Sequence, residues 1–85
     1  MINNRRSEIE IINEILTLAK NGVRKTRILY QTNLSYTQLQ NYLSFLLEAN
    51  ILEMENFKTV KTYRTTPKGL EIMESINKVI NGLVP

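Results

Sequence analysis

Gln38, Gln40 and Asn41 lie within a span of four residues, and each amide side chain holds an N–H donor beside a carbonyl acceptor. That pair matches the major-groove edge of adenine in bidentate fashion, and the neighbouring Thr37 can touch a thymine methyl. At helical spacing Thr37, Asn41, Ser44 and Glu48 share one face, flanked by Gln38 and Gln40. An ordinary solvated helix face usually carries Lys and Glu. This one is uncharged and amide-rich up to Glu48. Contact with base edges is the chemistry such a face can perform.

The cations are placed to match. No acid falls between Glu14 and Glu48, a window that holds Lys20, Arg24, Lys25 and Arg27. A second acid-free window, residues 56–70, holds Lys58, Lys61, Arg64 and Lys68. These eight cations stand against a chain net charge of +3, so the remainder of the chain is net −5. A fold that brings both windows to one side is bipolar, with a basic face suited to a polyanion. The plainer alternative is that these charges only solvate the surface.

Composition excludes several other chemistries. The chain has 85 residues with no Cys and no His, which removes disulfides, Cys/His zinc sites and imidazole acid–base catalysis. It has no Asp either, no glycine-rich phosphate loop, and nothing that pairs a nucleophile with a base, so no enzyme, cofactor or metal is expected. No apolar run approaches the roughly 20 residues of a membrane span. Glu8, Glu10 and Glu14 interrupt any signal-peptide core, which makes the cytoplasm the default. A chain this short buries little surface, and with disulfides and metal excluded, self-association is the expected extra support.

The elements that must position these residues can be read from caps and periodicity. Ser7 caps a first helix to about Lys20, with Ile9, Ile12, Ile15, Leu16 and Ala19 at helical spacing and Asn21-Gly22 ending it. A short second helix spans about Lys25 to Gln31, capped by Thr26 or the residues before it, and Thr32-Asn33-Leu34 form a turn. Ser35 and Gln38 make a capping box for a third helix, about Tyr36 to Ala49, whose buried stripe is Leu39, Leu43, Leu46 and Leu47. Ser35 reads first as a cap, although its backbone neighbours suit a phosphate. Tyr36 divides evenly between core and contact. Ile51 to Met54 and Val60 to Thr65 read as strands joined by a polar turn at residues 55–58, a hairpin with Lys58 and Lys61 in its loop. Thr66-Pro67 starts a fourth helix that runs to about Asn81.

A helix pair with a cation-rich entry, a hairpin and a further helix outline an α+β, mostly α fold: a winged helix-turn-helix. The run K-T-x-I-x-Y-x-x-N-L-S-Y-x-Q-L-x-x-Y-L from Lys25 to Leu43, then Ile51-Leu52, then Tyr63, Thr66, Lys68 and Gly69, resembles the small archaeal winged-helix DNA-binding proteins. That group includes chromatin-associated proteins and transcription regulators. The resemblance implies dimerisation through the C-terminal helix, often as an antiparallel coiled coil, although the last helix here is short for a long arm. The residues support the same expectation. Ile72, Met73, Ile76, Val79, Ile80 and Leu83 give that helix more apolar surface than one side of a small domain needs, and a two-fold seam would bury the excess.

The expectation is therefore one winged-helix domain over residues 1–85, with residues 66–83 as its dimerisation helix, that binds double-stranded DNA. The third helix (residues 35–49) would enter the major groove. Lys25, Thr26 and Arg27 would hold phosphates, and the wing (residues 55–62, with Lys58, Lys61 and nearby Arg64) would touch flanking DNA. Arg5 and Arg6 would add backbone contacts or simply fray. Lysines that merely protect a strand edge are the plainer reading of the wing. The rival function is a winged-helix protein-interaction module without a nucleic-acid role. RNA is a weaker third reading, because only Phe45 and Phe57 offer stacking platforms.

Overall fold

The computed structural model describes residues 7–82. The chain runs α1 (Glu8–Leu18), α2 (Lys25–Thr32), α3 (Tyr36–Glu48), β1 (Leu52–Phe57), β2 (Val60–Thr65) and α4 (Pro67–Gly82). It is an α+β fold, mostly helical, with one two-stranded antiparallel sheet among the described residues.

Two reciprocal capping boxes set the starts of α1 and α3. Ser7 Oγ accepts the Glu10 N–H at 3.1 Å, and the Glu10 carboxylate accepts the Ser7 N–H at 3.0 Å. Ser35 Oγ accepts the Gln38 N–H at 3.1 Å, and Gln38 Oε1 accepts the Ser35 N–H at 3.0 Å. Each cap contributes about 1 kcal/mol. α1 closes on Ala19, earlier than Lys20, and Gly22 at φ 90° carries the turn that follows. α2 starts at Lys25 as expected and differs only at its C-terminal end. Its cap position is Arg24, with no side-chain bond, so Thr26 is not a cap. Thr32 belongs to the helix and not to the turn. Its hydroxyl donates to the Ile28 carbonyl at 2.7 Å, which lets a polar residue sit fully buried. Asn33 takes the left-handed conformation at φ 58° that the turn requires.

The wing is longer than its sequence suggests. β1 continues to Phe57, and the register runs from Leu52↔Thr65 to Phe57↔Val60. Only Lys58 and Thr59 remain as the turn, with Lys58 at φ 58°. Lys61 therefore sits on β2 opposite Asn56 and not in the loop.

The core joins Ile11, Ile15, Leu16 and Ala19 of α1, Ile28 of α2 and Leu39, Leu43 and Leu46 of α3 to Val23, Ile51, Leu52 and Tyr63. Leu47 is partly buried at its edge. Polar contacts then lock the hairpin to the helix ends. Val23 and Tyr63 exchange backbone hydrogen bonds of 2.9 and 2.8 Å. The Thr65 N–H and hydroxyl donate to the carbonyls of Ala19 (3.0 Å) and Leu16 (2.7 Å), which the end of α1 leaves without helical partners. At the end of α3 the Ile51 N–H donates to the Leu46 carbonyl at 2.8 Å, and Lys68 Nζ donates to the Ala49 carbonyl at 2.9 Å. The wing is thus fixed relative to α3 by hydrogen bonds at its root.

Thr66 caps α4: its hydroxyl accepts the Gly69 N–H at 3.0 Å and reaches the carbonyls of Asn50 (2.7 Å) and Ile51 (3.0 Å). α4 then lies along α1, where Asn13 Nδ2 donates to Asn77 Oδ1 at 3.1 Å. Among the described residues no helix is long and apolar enough to cross a membrane.

Candidate nucleic-acid interface

Thr37, Gln38, Gln40, Asn41 and Ser44 are all exposed on α3, while Leu39, Leu43 and Leu46 face inward. The predicted division of this helix into a core stripe and a polar face is what the fold contains. Tyr36 is 60% exposed, which places it on the surface and not in the core.

The fold also joins the two parts of the helix pair through one cation. Lys25 Nζ donates to the Tyr36 hydroxyl at 3.1 Å and to Gln40 Oε1, and it stands 4.4 Å from the centroid of the Tyr36 ring. An ammonium can only donate, so the Gln40 carbonyl turns toward Lys25 and its amide N–H groups remain for an outside acceptor. Gln40 is then a donor on its outward side, the group that purine N7 or guanine O6 accepts from. Gln38 Oε1 is held by the Ser35 N–H, so capping is the role its geometry shows. Asn41 keeps the fewest internal obligations of the three amides and is exposed on the same face.

Thr26 and Arg27 are exposed in the first turn of α2. Arg24, at its cap position, is exposed as well. Arg24 was visible in sequence only as part of the acid-free window; its place at the helix entry comes from the fold. This helix start is electrostatically odd. The N-terminal end of a helix carries partial positive charge and favours carboxylates, as Glu8 and Glu10 do in α1. α2 has no acid there and three cations, Arg24, Lys25 and Arg27, in or beside its first turn. Each such cation opposes the helix by up to about 1 kcal/mol, which an external anion would offset.

The wing divides its cations. Lys58 and Lys61 are exposed near the tip. Arg64 is half-buried, and its Nε pairs with Glu55 Oε1 at 3.1 Å, so its charge is largely offset within the hairpin. Lys68, from the same basic window, is used to cap α3.

On α4, Ile72, Met73, Ile76 and Ile80 are half-buried, and Val79 is 62% exposed. Ile72 and Met73 also pack against the core of their own chain. Ile9, Ile72, Ile76 and Val79 line an open apolar groove with Glu71 and Ser75. Leu83, Arg5 and Arg6 lie outside the described residues. No group of three or more acidic, Cys or His side chains that could hold a metal occurs among the described residues.

The chain is 37% identical over 82 residues to the uncharacterized protein MJ0290 of Methanocaldococcus jannaschii, covering 95% of this chain and 37% of that protein. It thus spans little more than a third of that relative's length. A second protein of the same organism, the uncharacterized MJ0287, is 32% identical over 73 residues, covering 85% of this chain and 71% of its own. Among solved structures, Sso10a-2, a DNA-binding protein from Sulfolobus solfataricus, superposes with a TM-score of 0.80 at 28% identity, covering 89% of this chain and 80% of that one. AF1382 from Archaeoglobus fulgidus superposes with a TM-score of 0.76 at 21% identity, over 96% and 93% of the two chains, and shares the fold. The winged helix-turn-helix family matches residues 5–83, and the chain belongs to it.

Proposed function

We propose that this protein binds double-stranded DNA, with α3 in the major groove, the first turn of α2 on phosphates and the wing on flanking DNA. The observation that carries this reading is the exposed, uncharged face of α3 set beside a helix start that collects cations against its own dipole. The similarity to Sso10a-2, a DNA-binding protein, supports it. None of the base-facing residues on α3 is charged, so affinity must come mainly from Lys25, Arg27 and the wing, and sequence preference is broad.

Titration into duplex DNA at rising salt tests the proposal. With Lys25, Arg27, Lys58 and Lys61 on phosphates, the logarithm of affinity should fall with log salt at a slope of about −3.6 per bound chain. Absence of binding at low salt, or binding indifferent to salt, would refute it. The cellular role is that of a transcription regulator or a chromatin-associated protein at work on the nucleoid in the cytoplasm. Genome-wide mapping separates the two: sparse sites mean a regulator, broad coverage means chromatin.

The acting unit is a homodimer with its seam on α4. The groove of Ile9, Ile72, Ile76 and Val79 supports this, since one chain alone leaves that apolar surface open. Light scattering should report twice the chain mass, and Ile76→Glu should reduce it to one. A wild-type monomer at high concentration would rule the seam out.

A further inference from the structure

The hairpin ends in an aromatic ring that the fold does not use. Phe57 is the last residue of β1 and 74% exposed, more than any other large hydrophobic among the described residues except Tyr30. It does not anchor the hairpin to the core. The buried root of the strand is Leu52, and five residues of strand carry Phe57 about 16 Å beyond it. Across the register it meets only Val60, itself incompletely covered. A phenyl ring left in water forgoes roughly 2–3 kcal/mol of burial.

Its surroundings point to one kind of occupant. Lys58 Nζ lies 5.7 Å from the ring centroid, and Lys61 is exposed one ladder pair back, opposite Asn56. The nearest acid, Glu55, is paired with Arg64 at 3.1 Å. The tip therefore presents an apolar wedge with the Lys58 ammonium beside it and Lys61 on the adjacent ladder pair, in a two-residue turn narrow enough to enter a groove. A stack of apolar base faces edged by phosphates is complementary to it in both shape and charge. Side chains of this type unstack a base step from the minor-groove side and kink the duplex.

We propose that Phe57 is a DNA-deforming wedge: it enters the minor groove beside the α3 contact, partly intercalates at a base step and bends the duplex, while Lys58 and Lys61 hold the adjoining phosphates. Pyrimidine–purine steps, which open most easily, are its preferred sites, so sequence preference arises where no base edge is read. The inference rests on the DNA-binding reading above.

The chain contains no Trp, so Phe57→Trp places a single indole at the tip. The full chain, as wild type, Phe57→Trp and Phe57→Ala, is titrated into a duplex carrying a fluorophore pair at its ends. Wild type should raise energy transfer by shortening the end-to-end distance, and the indole emission of the Phe57→Trp variant should be quenched on binding. Phe57→Ala should still bind at low salt, about ten- to a hundredfold more weakly, with energy transfer near that of the free duplex. If Phe57→Ala bends and binds like wild type, the wedge is overturned while DNA binding stands. If the Phe57→Trp variant binds duplex without quenching of its indole, the wedge is overturned as well. Failure of wild type to bind any duplex would instead remove the DNA-binding reading itself.

Discussion

Gly69→Ala is expected to destabilise the protein by roughly 2–3 kcal/mol, although helix propensity alone favours alanine over glycine by about 1 kcal/mol. Gly69 is buried in the first turn of α4. A Cβ there would lie 2.3 Å from the Ile51 carbonyl oxygen and 2.7 Å from Thr65 Cγ2. The first obstacle is backbone and cannot rotate aside. The Ile51 oxygen also accepts the Thr66 N–H at 3.0 Å and the Thr66 hydroxyl at 3.0 Å, so pushing it away loosens the cap of α4 and the root of the wing together. Urea denaturation should show a lower midpoint with an unchanged slope. A melting temperature lower by about 10–20 °C is the thermal equivalent. An alanine variant as stable as wild type would mean that α4 does not approach Ile51 this closely.

The double reversal Lys25→Glu with Arg27→Glu is expected to reduce duplex affinity by about a hundredfold or more at low salt. Both residues sit in the first turn of α2. Reversal would remove the two proposed phosphate contacts and present two carboxylates to the backbone, and the salt slope should fall by about 1.8 per chain. Folding should not suffer. Lys25 loses its bonds to Tyr36 and Gln40, all made by partly or fully exposed groups, while two new carboxylates complement the helix dipole. A variant equal or higher in stability but deficient in binding would separate the role of these cations from structure. No effect on DNA together with unchanged binding to a protein partner would instead favour the protein-interaction reading of the fold.

Local signals made much of the fold legible. The Ser7 cap, the Ser35–Gln38 box, the Asn33 turn and the Thr66-Pro67 start all depend on residues within a few positions of one another. The polar face of α3 followed from helical phase. What escaped was set by distant partners. The sequence ends β1 at Met54 because residues 55–58 are polar and turn-like, and with Glu53 through Phe57 all exposed the strand beyond Leu52 has no alternation in burial. Its pairing with β2 extends it, and pairing leaves no mark in one strand read alone. Thr32 resembled a turn residue because the Ile28 carbonyl that satisfies it is visible only in a folded helix. The Val23–Tyr63 bridge joins residues forty positions apart. Gly69 belongs to the family pattern in sequence, but its close approach to the Ile51 carbonyl exists only in the fold.

The candidate site was narrowed in the same way. Its cations were visible as acid-free windows, but their partners were not. Arg64 turns to Glu55, Lys68 to the end of α3, and Lys25 to Tyr36 and Gln40. Gln38 is drawn into its cap. What remains for an outside partner is Thr37, Asn41, Ser44 and the amide nitrogen of Gln40 on α3, Arg24, Thr26, Arg27 and the third N–H of the Lys25 ammonium at the entry to α2, and Lys58 and Lys61 on the wing.

Amide chemical-shift mapping with a short duplex would locate the contact directly. The first turn of α2, residues 36–44 of α3 and the wing tip around residues 57–61 should shift at low salt and return as salt is added, while the groove of Ile9, Ile72, Ile76 and Val79 stays unchanged. Shifts confined to that groove, or none at all, would show that this face does not bind DNA.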